Sequence, residues 1–130
     1  MQHLIDAAIA ARFKAFAPYS KFLVGAALET RGGHVYTGCN VENATYGLTV
    51  CAERVAILKA ISEGEPLRSF PRMVIVADTE DLTPPCGACR QILWEFCGDM
   101  DLILVNLHGK TESYRVSELF PRAFDVSFLP

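Results

Sequence analysis

Near the N-terminus, Leu4, Ile5, Ala8, Ile9, Phe13 and Phe16 recur at helical spacing and predict an amphipathic first helix. Pro18-Tyr19-Ser20 breaks that pattern. Phe22 to Thr30 is a near-continuous apolar run suited to a buried strand, and Gly32-Gly33 turns the chain into a second strand, His34 to Cys39. Strands joined by so tight a turn must be antiparallel.

Asn40 to Thr49 is polar, carries Gly47 and reads as a loop. From Cys51 to about Glu63 the apolar positions return to helical spacing, and Gly64 is a natural stop. Met73 to Ala77 predicts a third strand, followed by an acidic loop that ends at Pro84-Pro85. Cys86 to Cys97 predicts a second buried helix closed by Gly98, and Asp101 to Leu107 a fourth strand. His108-Gly109-Lys110 then leads to a fifth strand, Ser113 to Val116. A link that short cannot make a parallel crossover, so the last two strands should be antiparallel. The expectation is a three-layer α/β/α fold around a mixed five-stranded sheet.

Length and composition narrow the function. A chain of 130 residues, 51% hydrophobic and 21% charged, is ordinary globular material for a single domain over 1–130. A formal net charge of −3 and the lack of a Lys/Arg cluster argue against a nucleic-acid partner. No run reaches membrane-spanning length, and the N-terminus does not read as a secretory signal. The five cysteines are then expected to be thiols or metal ligands in the cytoplasm, not a disulfide framework.

Cys86-Gly87-Ala88-Cys89 is a C-x2-C pair at a helix start, where free N–H groups and the helix dipole favour thiolate, the form that binds zinc. Alone it also fits a redox pair or a structural knuckle. A third ligand is expected from Cys51, which opens the other helix after a loop. Cys97 lies roughly 12 Å along the helix from Cys89, too far for one tetrahedron. Cys39 stays open as a fourth ligand on spacing alone, although a small buried core residue is the plainer reading of both. His3, His34 and His108 sit at a terminus or in turns and read as solvated. Glu53, two residues after Cys51, supplies an acid–base group; without company it would be only a charge complementing the helix dipole. Cys51-Ala52-Glu53 together with Pro85-Cys86-Gly87-Ala88-Cys89 is the pattern of zinc deaminases.

At these residues the chain resembles the short, homotetrameric cytidine deaminases. The likeness runs through Ala17-Pro18-Tyr19-Ser20-Lys21-Phe22, Val24-Gly25-Ala26-Ala27-Leu28, Gly38-Cys39-Asn40-Val41-Glu42-Asn43-Ala44, Cys51-Ala52-Glu53-Arg54 and Pro85-Cys86-Gly87-Ala88-Cys89-Arg90-Gln91. It ends near Glu118-Leu119-Phe120-Pro121. The resemblance implies Zn2+ on Cys51, Cys86 and Cys89, and hydrolysis of cytidine or deoxycytidine to uridine or deoxyuridine with release of ammonia. Glu53 would protonate ring nitrogen N3, take a proton from the attacking water and deliver protons to the departing ammonia. Arg54 would offset the excess negative charge of the thiolates.

The resemblance further implies that Asn40 and Glu42 hydrogen-bond the ribose, that Phe22 walls the nucleoside pocket and that the Ala52 backbone meets the base. Ala44, Tyr46 and Phe124 match positions contributed across subunit boundaries, so a homotetramer would complete the site. Phe120-Pro121-Arg122-Ala123-Phe124 departs from the commoner form of its motif, which loosens the alignment of Phe124. Three other readings remain at this stage: a deaminase of modified cytosine nucleosides, a polynucleotide-editing deaminase, and a zinc module without catalysis. The expected hairpin and low basic character count against the second, and Glu53 against the third.

Overall fold

Alternation along the strands explains the architecture. In the computed structural model, which describes residues 1–130, both faces of the central strands are covered, so their sequences are apolar without interruption. The chain runs α1 (Gln2–Arg12), β1 (Val24–Glu29), β2 (Val35–Cys39), α2 (Ala52–Ser62), β3 (Arg72–Ala77), α3 (Gly87–Cys97), β4 (Asp101–Val105), β5 (Thr111–Arg115) and α4 (Val116–Leu119). Short 3-10 turns occupy Tyr46–Leu48 and Val126–Phe128.

The strand order is β2-β1-β3-β4-β5. Neighbours are antiparallel except β3 and β4, which run parallel because the α3 crossover joins them. Ala27, Val74, Val76, Ile103 and Val105 face α1, where Leu4 and Ala8 meet them. Ala26, Leu28, Met73, Ile75, Leu102 and Leu104 face the opposite way and pack with Ala52, Ala56 and Ile57 of α2 and Leu93 of α3. The expected three-layer α/β/α arrangement and the antiparallel final hairpin are both present.

Two glycines set how closely the helices approach the sheet. A Cβ on Gly25 would lie 2.1 Å from the Ala8 carbonyl oxygen of α1. At Gly38 it would lie 2.2 Å from the Ala52 oxygen and 2.6 Å from the Ala56 nitrogen of α2. Both obstacles are backbone, so a methyl group can be accommodated only by lifting the helix. Gly38→Ala should therefore cost about 3 kcal/mol and loosen zinc, because Cys51 immediately precedes α2. Thermal unfolding and metal analysis of the variant check this; an unchanged midpoint with full zinc would contradict it.

Element boundaries differ from expectation for identifiable reasons. The first helix stops at Arg12, short of Phe16, because the Phe16 N–H donates to the Asn40 carbonyl (2.9 Å) and its own carbonyl accepts from Glu42 N–H (2.8 Å). The first strand starts at Val24, not Phe22, since Lys21 takes a left-handed φ of 61° and turns the chain. In the last strand the ladder ends at Arg115. Val116 opens α4, where Asp99 accepts from Ser117 N–H (2.8 Å) and Glu118 reaches back to Arg115 N–H (2.8 Å).

Candidate active site

Cys51 and Cys86 are the N-cap residues of α2 and α3, each with extended backbone angles. Cys89 follows in the first turn of α3 and is fully buried. Two helix N-termini thus point their unsatisfied N–H groups at the same place, which favours negative charge there. The three sulfurs lie within 4.8 Å of one another, and no fourth His, Cys, Asp or Glu ligand joins them. Cys39, left open by spacing, is outside the group. Cys97 is in the core, and burial pushes its thiol up to about 12.

The donor chemistry fits zinc. Hydrogen bonding from Cys89 pulls the Cys51 thiol down to about 5, and the Arg54 guanidinium assists. Cys89 moves the opposite way, chiefly because it keeps its proton to donate a hydrogen bond to Cys51 and is itself buried beside Glu53. These are two sides of one shared proton: side by side, the pair does not ionise twice without a cation between them. Arg54 Nη2 donates to the Thr49 carbonyl (3.2 Å) and lies 3.6 Å from Cys51 Sγ. Its Nε is buried with no partner. A guanidinium held in this way offsets part of the thiolate charge.

Beside the cysteines lies a cavity whose walls include Phe22, Asn40, Glu42, Cys51, Ala52, Glu53 and Cys86. Glu53, in the first turn of α2, is only 4% exposed. Burial is the main reason its carboxyl is raised above the usual range. Phe22 sits at the rim, 39% exposed. Ser20, Val24, Thr49, Ile75, Thr83 and Pro84 complete the lining. The sequence reading placed none of these in the site, although Pro84 marks the entry to α3 and Ser20 and Val24 fall in motifs of the resemblance.

Asn40 and Glu42 reach the cavity but are also bonded within the chain. Asn40 Oδ1 accepts from Val24 N–H (2.9 Å), and Nδ2 donates to the Phe22 carbonyl (2.7 Å). One Glu42 oxygen accepts from the N–H groups of Tyr19 and Ser20 (3.0 Å each), and the other accepts from the Ser20 hydroxyl. The Ser20 hydrogen bonds hold this carboxyl below its usual range. Together they fix the turn that presents Phe22. Ala44, Tyr46 and Phe124 do not line this cavity in their own chain. Tyr46 is 74% exposed with its ring edge-on to Tyr19, while Phe124 is 54% exposed and stacks on Phe128.

A buried glutamate and three cysteine sulfurs, brought to one cavity by two helix N-termini, match the pattern of a zinc deaminase. Residues 1–105 match the family model for the cytidine and deoxycytidylate deaminase zinc-binding region. The chain belongs to that family. It is 50% identical over 132 residues to a cytidine deaminase of Sporosarcina psychrophila, covering 98% of this chain and 96% of that one. With a cytidine deaminase of Halalkalibacterium halodurans it shares 52% identity over 124 residues, covering 95% and 92%. Its fold superposes on the crystal structure of cytidine deaminase from Burkholderia pseudomallei with a TM-score of 0.93 at 46% identity, covering 95% of this chain and 98% of that chain.

Proposed function

We propose that this chain is a zinc-dependent enzyme that hydrolyses the amino group of free cytidine and deoxycytidine, releasing ammonia and leaving uridine or deoxyuridine. The observation that carries this reading is the three-sulfur group with no fourth ligand, opening onto a cavity that Glu53 shares. Cys51, Cys86 and Cys89 would hold Zn2+, which supplies Lewis acidity and so makes water a competent nucleophile near neutral pH. Glu53 does the proton work. Its raised carboxyl can be in the acid form when it donates to ring nitrogen N3, and the resulting carboxylate then accepts a proton from the attacking water. It passes that proton to the amino group, which leaves as ammonia, and regains its acid form by taking the proton of the C4 hydroxyl as the product's C4 carbonyl forms.

The remaining wall residues suit a nucleoside. A carboxylate has about four acceptor positions, and Glu42 uses three on Tyr19 and Ser20, leaving capacity for a sugar hydroxyl. Asn40 keeps one unused N–H and one lone pair on the same side chain. Phe22 offers a flat apolar wall at the rim, and the Ala52 backbone lies between ligand and acid. In this reading the chain is one catalytic domain, and Ala44, Tyr46 and Phe124 serve a neighbouring subunit of a homotetramer. Their outward placement in the isolated chain supports that assignment. All five cysteines are free, as suits the reducing cytoplasm. No helix is long and apolar enough to cross a membrane.

The test is ammonia release by the zinc-loaded protein from cytidine, deoxycytidine, CMP and a short single-stranded oligonucleotide. Turnover of the two nucleosides alone is expected. Release from the oligonucleotide would overturn the free-nucleoside assignment, and release from none would overturn the enzyme.

A further inference from the structure

The loop between β3 and α3 carries Thr83 and Pro84 into the cavity wall and leads directly to Cys86. A loop lacks the hydrogen-bond ladder of a strand, so something else must hold its backbone. At its α3 end Arg90 Nε donates to the Pro85 carbonyl (2.8 Å); at its β3 end the side chain that reaches it is the buried Asn106 of the β4–β5 turn, beyond the family-matched residues 1–105. Asn106 is 3% exposed. Its Oδ1 accepts from the backbone N–H groups of His108 and Lys110 (2.9 Å each), which shapes the turn. Its Nδ2 donates to the carbonyls of Thr79 and Glu80 (3.0 Å each), which lie in the loop. Every hydrogen-bonding position facing the two segments is used.

From there the contact continues inward. Thr79 Oγ donates to the Asp81 carbonyl and lies 3.0 Å from the Thr83 hydroxyl, and Thr83 is a cavity residue. The other ties between turn and loop are His108 to Asp78 (3.0 Å) and Lys110 to Asp81 (3.3 Å). Both are exposed surface contacts, of a kind that contributes little. A buried amide satisfied on both sides is the stronger restraint.

We infer that Asn106 is a positioning residue of the active site: through Thr79 it sets Thr83 and Pro84 as the wall against which the nucleoside lies. The inference rests on the reading of this cavity as the nucleoside site. Asn106 touches neither substrate nor metal, so its loss alters the fit of the wall more than the proton chemistry of Glu53.

The experiment uses the zinc-loaded enzyme and compares Asn106→Ala, Thr79→Val, their double variant, and Lys110→Ala as a surface control. KM for cytidine should rise about tenfold in Asn106→Ala, the effect of losing one well-placed interaction of about 1.4 kcal/mol, with kcat within about twofold of wild type. Thr79→Val should raise KM in the same direction and the double variant should add little, because both changes break one chain of contacts. Lys110→Ala should leave KM unchanged. Cleavage after the exposed Glu80 by a glutamate-specific protease should accelerate in both buried variants, a readout that needs no turnover. A folded Asn106→Ala protein with lowered thermal stability but wild-type KM overturns the inference. So do additive effects in the double variant, or unaltered cleavage after Glu80. If Asn106→Ala does not fold, wild-type KM in Thr79→Val overturns it equally. Wild-type protein that leaves cytidine intact defeats the nucleoside reading instead, and the cleavage rates after Glu80 then decide whether Asn106 sets the wall.

Discussion

Replacing Glu53 by glutamine should lower kcat about a thousandfold, within the range that a positioned acid–base group supplies, while zinc stays bound at one ion per chain. The two effects separate because Glu53 is no part of the three-sulfur group. Glutamine keeps the shape of the side chain and fills the same buried space in the first turn of α2. Burial already disfavours the charged carboxylate at this position, so a neutral amide is no burden there. The variant should accordingly unfold at or above the wild-type temperature. Steady-state ammonia release, metal analysis and thermal unfolding on the same preparation test all three statements. Near-wild-type turnover would remove Glu53 from the chemistry; loss of zinc would mean that it supports the metal instead.

Replacing Cys89 by alanine should abolish both metal retention and activity. Cys89 has no exposure to solvent, and its sulfur is one of three within 4.8 Å. Two thiolates do not hold a catalytic zinc. No other cysteine can step in, because Cys39 and Cys97 lie outside the group. After dialysis against a chelator, the variant should contain negligible zinc, and added zinc should not restore turnover. Wild-type protein treated in the same way should recover when zinc is returned. A Cys89→Ala protein that keeps stoichiometric zinc and deaminates cytidine would sink the ligand assignment.

The two replacements differ in what they spare, and that difference separates the roles. Glu53→Gln should leave a zinc-loaded protein that cannot move protons. Cys89→Ala should leave Glu53 in place without the metal beside it.

Legibility in the sequence followed the range of the interactions. The helices that present Cys51 and Cys86 are local objects, and their starts are marked by ligand spacing, by Pro84-Pro85 and by the return of apolar periodicity. The antiparallel final hairpin follows from the shortness of its link. By contrast, the end of α1 depends on Phe16 pairing with the Asn40–Glu42 segment, a contact across more than twenty residues of chain. The start of β1 depends on the left-handed turn at Lys21, stabilised by the distant Glu42. Neither leaves a local mark that propensity could report.

The same division holds in the site. Sequence by itself determined the fold class and the zinc-ligand types and placed Glu53 two residues from one ligand, because metal chemistry needs particular atoms at short spacing along a helix start. Only the tertiary structure brought Cys51 within reach of Cys86 and Cys89, and it did so through packing. Gly38 lets α2 lie against β2, and the α3 crossover places the second N-terminus opposite the first. It also decided how the polar side chains around the cavity are used. Asn40 and Glu42 bond Phe22, Val24, Tyr19 and Ser20, and Asn106 holds the loop that leads to Cys86. A hydrogen-bonding side chain carries no label for its partner; the fold assigns one by leaving particular backbone groups buried and in need of it.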